Sequence, residues 1–283
     1  VLKVLFIFID GVGLRAPAPD NPVHAGNCPA LCSLFENYAV PIDACLDVDG
    51  LPQSASGQTA MFTGTNAARQ MGRHCEGFPG PTLRRIIQAN NIFMELTRKG
   101  KRCCFADAYM IDQISDLEHR RFKSVTTVMA LTRPETILKR DDLLENQAVS
   151  HDITRSYLIE KGHDIPLIKP HQAAEHLIQV ARANDFTLFE FFLSDLAGHS
   201  RSYETASQTL QMLDQFIEVT EALCKATNML LVITSDHGNI EDMSTKSHTR
   251  NPVPLMAVGP NSDIITANAT SLTQITPRIL RVF

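Results

Sequence analysis

Three runs of almost unbroken apolar residues, each giving way to an aspartate, constrain this chain more than any other feature. The first is Val1-Leu2-Lys3-Val4-Leu5-Phe6-Ile7-Phe8-Ile9, which ends in Asp10-Gly11-Val12-Gly13. The second runs from Phe186 to Leu193 and ends in Ser194-Asp195-Leu196-Ala197-Gly198-His199. The third, Met229 to Ile233, leads into Thr234-Ser235-Asp236-His237-Gly238-Asn239. A strand without polar alternation has no face to offer water, so it must be covered on both sides, as in a mainly parallel sheet flanked by helices. Such sheets place ligand-binding groups beyond the carboxyl ends of their strands. One acidic strand end reads equally well as a polar turn. Three of them, two offering Asp and His together, do not read as surface decoration.

A further imidazole follows in His248-Thr249-Arg250-Asn251-Pro252-Val253-Pro254. Carboxylates and imidazoles without thiolate suit Zn²⁺, Mn²⁺ or Mg²⁺. Between the first two runs lies Gly50-Leu51-Pro52-Gln53-Ser54-Ala55-Ser56-Gly57-Gln58-Thr59-Ala60-Met61-Phe62-Thr63-Gly64. Small residues and glycine precede Thr59, and an apolar, helix-like segment follows it. A hydroxyl at a helix N-terminus meets free N–H groups and the positive end of the dipole, which suits a phosphate. Metal coordination would make it a nucleophile. The blander alternative makes Thr59 only an N-cap, with Ser54 and Ser56 as turn residues.

The order Asp10, Thr59, Asp195-x-x-x-His199, Asp236-His237 and His248 resembles the alkaline phosphatase superfamily. The Asp-His-Gly-Asn and His-Thr-Arg-Asn-Pro-Val-Pro wording is most similar to its metalloenzyme branch, which includes cofactor-independent phosphoglycerate mutase and phosphopentomutase. The likeness covers roughly the first third and the last 40% of the chain. It implies an alkaline-phosphatase-like three-layer α/β/α sandwich with a short inserted cap. It also implies two divalent ions, Mn²⁺ or Zn²⁺ before Mg²⁺, sharing a phosphate. Asp195, His199 and His248 would hold one ion; Asp10, Asp236 and His237, with the Thr59 oxygen, would hold the other.

The remaining pattern fills in the architecture. Thr82 to Arg98 has helical periodicity with a stop at Lys99-Gly100, Arg102 to Ala106 reads as a strand, and Pro170 to Arg182 reads as a helix. Ala206 to Cys224 is an amphipathic helix facing the core. Residues 1–108 and 166–283 are expected to form the metal-binding core, and the polar stretch 109–165 a separate cap over it. Arg73, His74 and Arg250 are candidate substrate contacts because they adjoin motifs. Arg84, Arg85, Asp152, Arg155 and Arg201 are weaker ones. His24, His119, His151, His163, His171 and His176 fit no metal spacing.

Composition narrows the function classes. A net charge of −5 over 283 residues with scattered Lys and Arg gives no footprint for nucleic acid. The 7 cysteines form no Cys-x-x-Cys pair and no even framework, which suits buried thiols in a reducing, cytoplasmic setting. The N-terminal apolar run is too short for a membrane span and leads directly into candidate functional residues, so it is not expected to be a signal peptide, and the numbering is expected to begin after an initiator methionine. No oligomeric state follows from these features. The expected substrate is a small phosphate ester, hydrolysed through a phosphothreonine at Thr59, because a short cap guards an intermediate poorly from water. A phosphomutase is the second reading. A non-catalytic metal-binding scaffold is the third, disfavoured because no ligand or nucleophile is missing. Sulfatase chemistry lacks its Cys-x-Pro-x-Arg sequence.

Overall fold

The computed structural model describes residues 2–283, so Val1, which begins the first apolar run, lies outside the described residues. Seven strands form one sheet: β1 Val4–Ile9, β2 Val40–Ile42, β3 Cys103–Tyr109, β4 Ile137–Lys139, β5 Phe186–Phe191, β6 Leu230–Thr234 and β7 Val253–Val258. Their order is β2-β7-β6-β1-β5-β3-β4. The β6-β1-β5-β3-β4 block is parallel, and β7 and β2 add an antiparallel margin. The apolar runs thus sit at the centre, where the absence of alternation requires burial on both faces. In β1, Val4, Phe6 and Phe8 point into one core while Leu5, Ile7 and Ile9 point into the other.

The first core lies under the helices Ser54–Thr63, Pro81–Ala89, Ile92–Arg98, Val125–Ala130 and Ile275–Arg281. Phe62 of the Ser54 helix stands edge-on to Phe8 at 5.8 Å, a favoured arrangement for aromatic quadrupoles. The second core lies under Pro29–Tyr38, Pro170–Ala183 and the long Tyr203–Ala226 helix, which buries Leu210, Leu213, Phe216 and Ile217. The periodic segment 82–98 is two helices rather than one. Asn91 breaks it by accepting from Met94 N at 3.1 Å, so it caps a new N-terminus.

Part of the stretch 109–165, expected as a separate cap, is built into the core. β4, within that stretch, pairs in parallel with β3 at the sheet edge. Ile111, Leu117, Val125, Val128, Met129, Ala130 and Ile137 are buried in the first core. Leu143, Ala148, Leu158 and Ile165 pack in a small cluster of their own, so only part of the stretch joins the first core. At the opposite edge Pro41 of β2 faces Pro254 of β7.

The face toward the first core ends in acidic residues on four neighbouring strands. Phe105 aligns with Leu188, which brings Asp107 opposite Glu190 two residues further on. Asp10 and Asp236 lie just past the ends of β1 and β6.

Candidate metal centre

Asp10, Asp195, His199, Asp236, His237 and His248 meet at the carboxyl edge of β1, β5 and β6. His237 Nε2 is 3.3 Å from Asp10 Oδ1 and 3.5 Å from Asp236 Oδ2. His248 Nε2 is 3.5 Å from Asp195 Oδ1, and His199 Nε2 is 3.3 Å from Asp195 Oδ2. The two imidazole nitrogens of His199 and His248 face each other at 3.1 Å. The His237 ring stacks on His248 with centroids 3.7 Å apart, so the two groups of ligands adjoin. Asp195 and His199 are four apart in the helix Leu193–Ser200, which puts them on one face.

Local geometry explains why these side chains aim inward. His248 Nδ1 lies 2.8 Å from Pro52 O, and His199 Nδ1 lies 3.0 Å from Lys246 O. A carbonyl only accepts, so in the neutral rings each Nδ1 carries the proton and each Nε2 lone pair faces the site, the arrangement metal-binding histidines use. Gly11 has φ +73°, and a Cβ there would lie 2.7 Å from Asp195 Oδ1, so only glycine permits the approach. Glu241 is buried and accepts from Gly13 N (2.9 Å), Asn239 N (2.8 Å), Thr249 Oγ1 (2.5 Å) and Asn251 Nδ2 (3.0 Å). One carboxylate therefore ties together the loops that carry Asp10, Asp236-His237 and His248. Asn239 Nδ2 also donates to Asp195 Oδ1 at 2.6 Å.

The electrostatics fit a divalent cation. Burial, reinforced by Asp236, pushes the Asp10 carboxyl well above its ordinary range. Burial works against a charged His237, yet Asp236 and Asp10 outweigh it and push the imidazolium up to about 10. His248 is held down by burial and by neighbouring His237. Asp10 Oδ1 and His237 Nδ1 are buried without a hydrogen-bond partner. Carboxylates this close need positive charge between them, and the oxygen and imidazole donors match hard to borderline divalent ions.

Thr59 requires a correction. It is the sixth residue of the Ser54–Thr63 helix, fully buried, and its hydroxyl donates to Ala55 O at 2.6 Å. The hydroxyl at the helix N-terminus is Ser54, whose Oγ is 2.9 Å from His237 Nε2. The sequence misled because Gly57 looks like a turn residue. It is helical, and small for packing: a Cβ there would lie 3.0 Å from Asp236 O. Gln58, one turn on, donates to Asp10 Oδ2 (3.1 Å) and Asp236 Oδ2 (3.0 Å). Ser54, Gln58, Asn239 and Glu241 were all missed as site residues, although the last two stand inside the quoted motif or two residues beyond it.

The candidate substrate contacts divide. Ser54, Gln53, Glu76, Gly77 and Lys246 line the cleft with Asp195, His199 and His248. Arg73 and His74 line an adjoining cavity that shares Glu76. Arg250 donates to Gly50 O at 2.7 Å, bracing the approach to Ser54. Arg84 is engaged with Pro79 O at 2.8 Å, and Arg85 with Thr82 Oγ1 at 3.3 Å. Arg155 is buried against Leu143 O and Asn146, and Asp152 organises its own loop; both are structural. Arg201 is the left-handed C-cap of the Asp195 helix. No described helix is long and apolar enough to cross a membrane.

A family model described as the Metalloenzyme superfamily matches residues 2–283. A 2,3-bisphosphoglycerate-independent phosphoglycerate mutase of Mycoplasma pneumoniae is 33% identical over 112 residues, 38% of this chain and 22% of the mutase. Its counterpart in Ehrlichia canis is 26% identical over 152 residues, 50% of this chain and 30% of the mutase. The matches thus span less than a third of those relatives' length. An alkaline phosphatase from the Antarctic bacterium TAB5 superposes with a TM-score of 0.60 at 15% identity, covering 99% of this chain and 97% of that one. The alkaline-phosphatase-like fold is shared.

Proposed function

This chain belongs to the Metalloenzyme superfamily, and from that premise we propose that it is a divalent-metal-dependent phosphoryl-transfer enzyme, a hydrolase of small phosphate monoesters acting through Ser54. The observation that carries the reading is the Ser54 hydroxyl, at the start of its helix and 2.9 Å from His237 Nε2, amid the converging carboxylates and imidazoles. Asp195, His199 and His248 would hold one ion, and Asp10, Asp236, His237 and Ser54 the other. Mn²⁺ or Zn²⁺ suits this donor set, with Mg²⁺ third. Bound ions would lower the pKa of the Ser54 hydroxyl and offset charge on the phosphoryl oxygens.

In the first half-reaction Ser54 Oγ forms a bond to phosphorus and releases its proton to solvent. The ester P–O bond breaks with its electron pair on the alcohol oxygen, which takes up a proton. The helix N-terminus and its free N–H groups favour the anion that results. Water then attacks phosphorus, the Ser54 P–O bond breaks, and the serine regains its proton as inorganic phosphate leaves. Hydrolysis is favoured over mutase chemistry because the His199 side chain is 42% exposed, which leaves the cleft open to water. The motif shared with the mutases supports isomerisation as the second reading.

Rapid quench with a ³²P-labelled ester and Mn²⁺, followed by peptide mapping, tests the reading. Label on the Ser54 peptide with release of phosphate is the expected result. Label on another residue, or none under trapping conditions, overturns the serine route. An isomeric ester without net phosphate release would favour the mutase.

A further inference from the structure

A cavity of about 440 Å³ opens beside the metal cleft, between β3, β5 and the segment leading to the Val125–Ala130 helix. Its floor holds Asp107 and Glu190, 6% and 8% exposed. Asp107 Oδ2 accepts from Glu190 N at 2.9 Å, while Oδ1 is buried with no partner. Glu190 accepts from Thr126 Oγ1 at 2.5 Å. Among the described residues neither carboxyl has a cationic partner, and His151 in the wall is kept neutral by burial. Phe78, Phe122, Tyr157 and Phe192 form the sides. Phe78 and Phe122 sit 5.4 Å apart at the lip, 54% and 59% exposed, an apolar pair turned toward solvent. Arg120 and Lys123 flank the opening.

The cavity lies beside the metal centre along the same sheet edge, the Arg73 and His74 cavity sharing Glu76 with the cleft and Phe78 with it. Glu190 is in register with Phe8, two residues before Asp10, and Phe192 directly precedes the helix of Asp195. Gly77 lines the cleft while Phe78 lines the cavity. The cavity is therefore a neighbouring space that the alcohol half of an ester at Ser54 can reach.

Resting on the phosphoryl-transfer reading above, we propose that this cavity receives the alcohol portion of the substrate, and that this alcohol carries an ammonium group bound by Asp107 and Glu190. Two buried carboxyls without a counter-charge are costly alone and favourable around a cation. Aromatic faces reinforce that preference, because their quadrupoles attract a cation. Burial raises both acids in the empty cavity, so an ammonium group would draw them into the charged form. Arg120 and Lys123 also line the cavity, so a carboxylate on the same alcohol has cations to pair with, which makes the phosphate ester of a hydroxy-amino acid the fitting class.

The test is calorimetric titration of the full chain bearing Ser54→Ala, loaded with Mn²⁺. O-phosphoserine is compared with 3-phosphoglycerate, which differs by a hydroxyl in place of the ammonium. O-phosphoserine should bind at least about tenfold more tightly, and Asp107→Asn in the same background should bring the two within about threefold. Equal or tighter binding of 3-phosphoglycerate, no measurable binding of O-phosphoserine, or a preference that survives both Asp107→Asn and Glu190→Gln overturns the inference. Mn²⁺-dependent phosphate release from p-nitrophenyl phosphate, which has no ammonium group, reads the phosphoryl-transfer centre separately. Its absence in the wild-type protein would sink the proposed function while leaving the binding comparison to stand or fall alone.

Discussion

Asp10 and Asp236 share a strand-end row with Asp107 and Glu190, yet the two pairs live in opposite surroundings. The first pair has His237 within 3.5 Å and the amide of Gln58 across both carboxylates. The second pair has one hydroxyl, one backbone N–H and a cavity. The two pairs stand on the same face of adjacent strands, the second pair two residues earlier in register. The difference comes from what the covering helix brings: the Ser54 helix supplies a hydroxyl and an amide, while the Val125–Ala130 helix supplies Thr126 alone. One row of acids can thus hold metal at one end and an organic group at the other.

The sharpest break in that comparison is Ser54→Ala. It should lower the rate of phosphate release by at least about a thousandfold, as when a covalent route loses its nucleophile, with Mn²⁺ binding largely kept. Wild-type turnover in this variant, measured with any ester the protein accepts, would remove the distinction between the two halves.

The second pair should reveal itself through pH. Burial pushes Glu190 from 4.5 up to about 7. The folded chain therefore keeps a proton that the unfolded chain loses above its own lower pKa. This contribution favours the fold at acidic pH and disappears as pH rises through about 7. Urea unfolding of chelator-treated protein should show the stability of Glu190→Gln relative to wild type improving, by on the order of 3 kcal/mol, between pH 4.5 and 8. A flat difference would mean that Glu190 is not buried as a lone acid.

Glu241 should matter only to the metal half. Glu241→Gln keeps the shape but weakens a carboxylate accepting from three loops, and should reduce Mn²⁺ affinity about 10- to 100-fold. Titration with Mn²⁺ checks this; unchanged affinity would reduce Glu241 to a folding residue. The smallest effect belongs to Thr59→Val. Losing one buried hydroxyl bonded to Ala55 O should cost about 1 kcal/mol of stability and leave kcat within about twofold. A collapse of kcat would return the nucleophile to Thr59.

The sheet was readable from sequence because β1, β5 and β6 are buried on both faces and carry no competing pattern. The strand-end acids were readable because they interrupt those runs abruptly. β7 is masked in the sequence by Pro252 and Pro254, which disfavour a strand; Pro254 is tolerated where β6 has ended. Thr59 reads as the start of a helix because of one residue's meaning: Gly57 signals a turn by propensity but a close approach by packing, and only the position of Asp236 distinguishes them. The 109–165 segment reads as polar for a related reason: its apolar groups are too short to show a period until the surfaces they pack on are known.

Pro41 and Pro254, opposite each other at the antiparallel margin, have a consequence outside catalysis. Two prolines in register cannot exchange hydrogen bonds, so the donor that Pro41 lacks is missing from the outward rim of β2. An exposed sheet rim is the surface on which a second polypeptide would nucleate intermolecular pairing. Here β2 is three residues long with an imino acid at its centre, and β4 at the other rim is also three residues long. The hydrophobic strands that make the fold possible are therefore fenced at both sides against recruiting their own kind into fibrils.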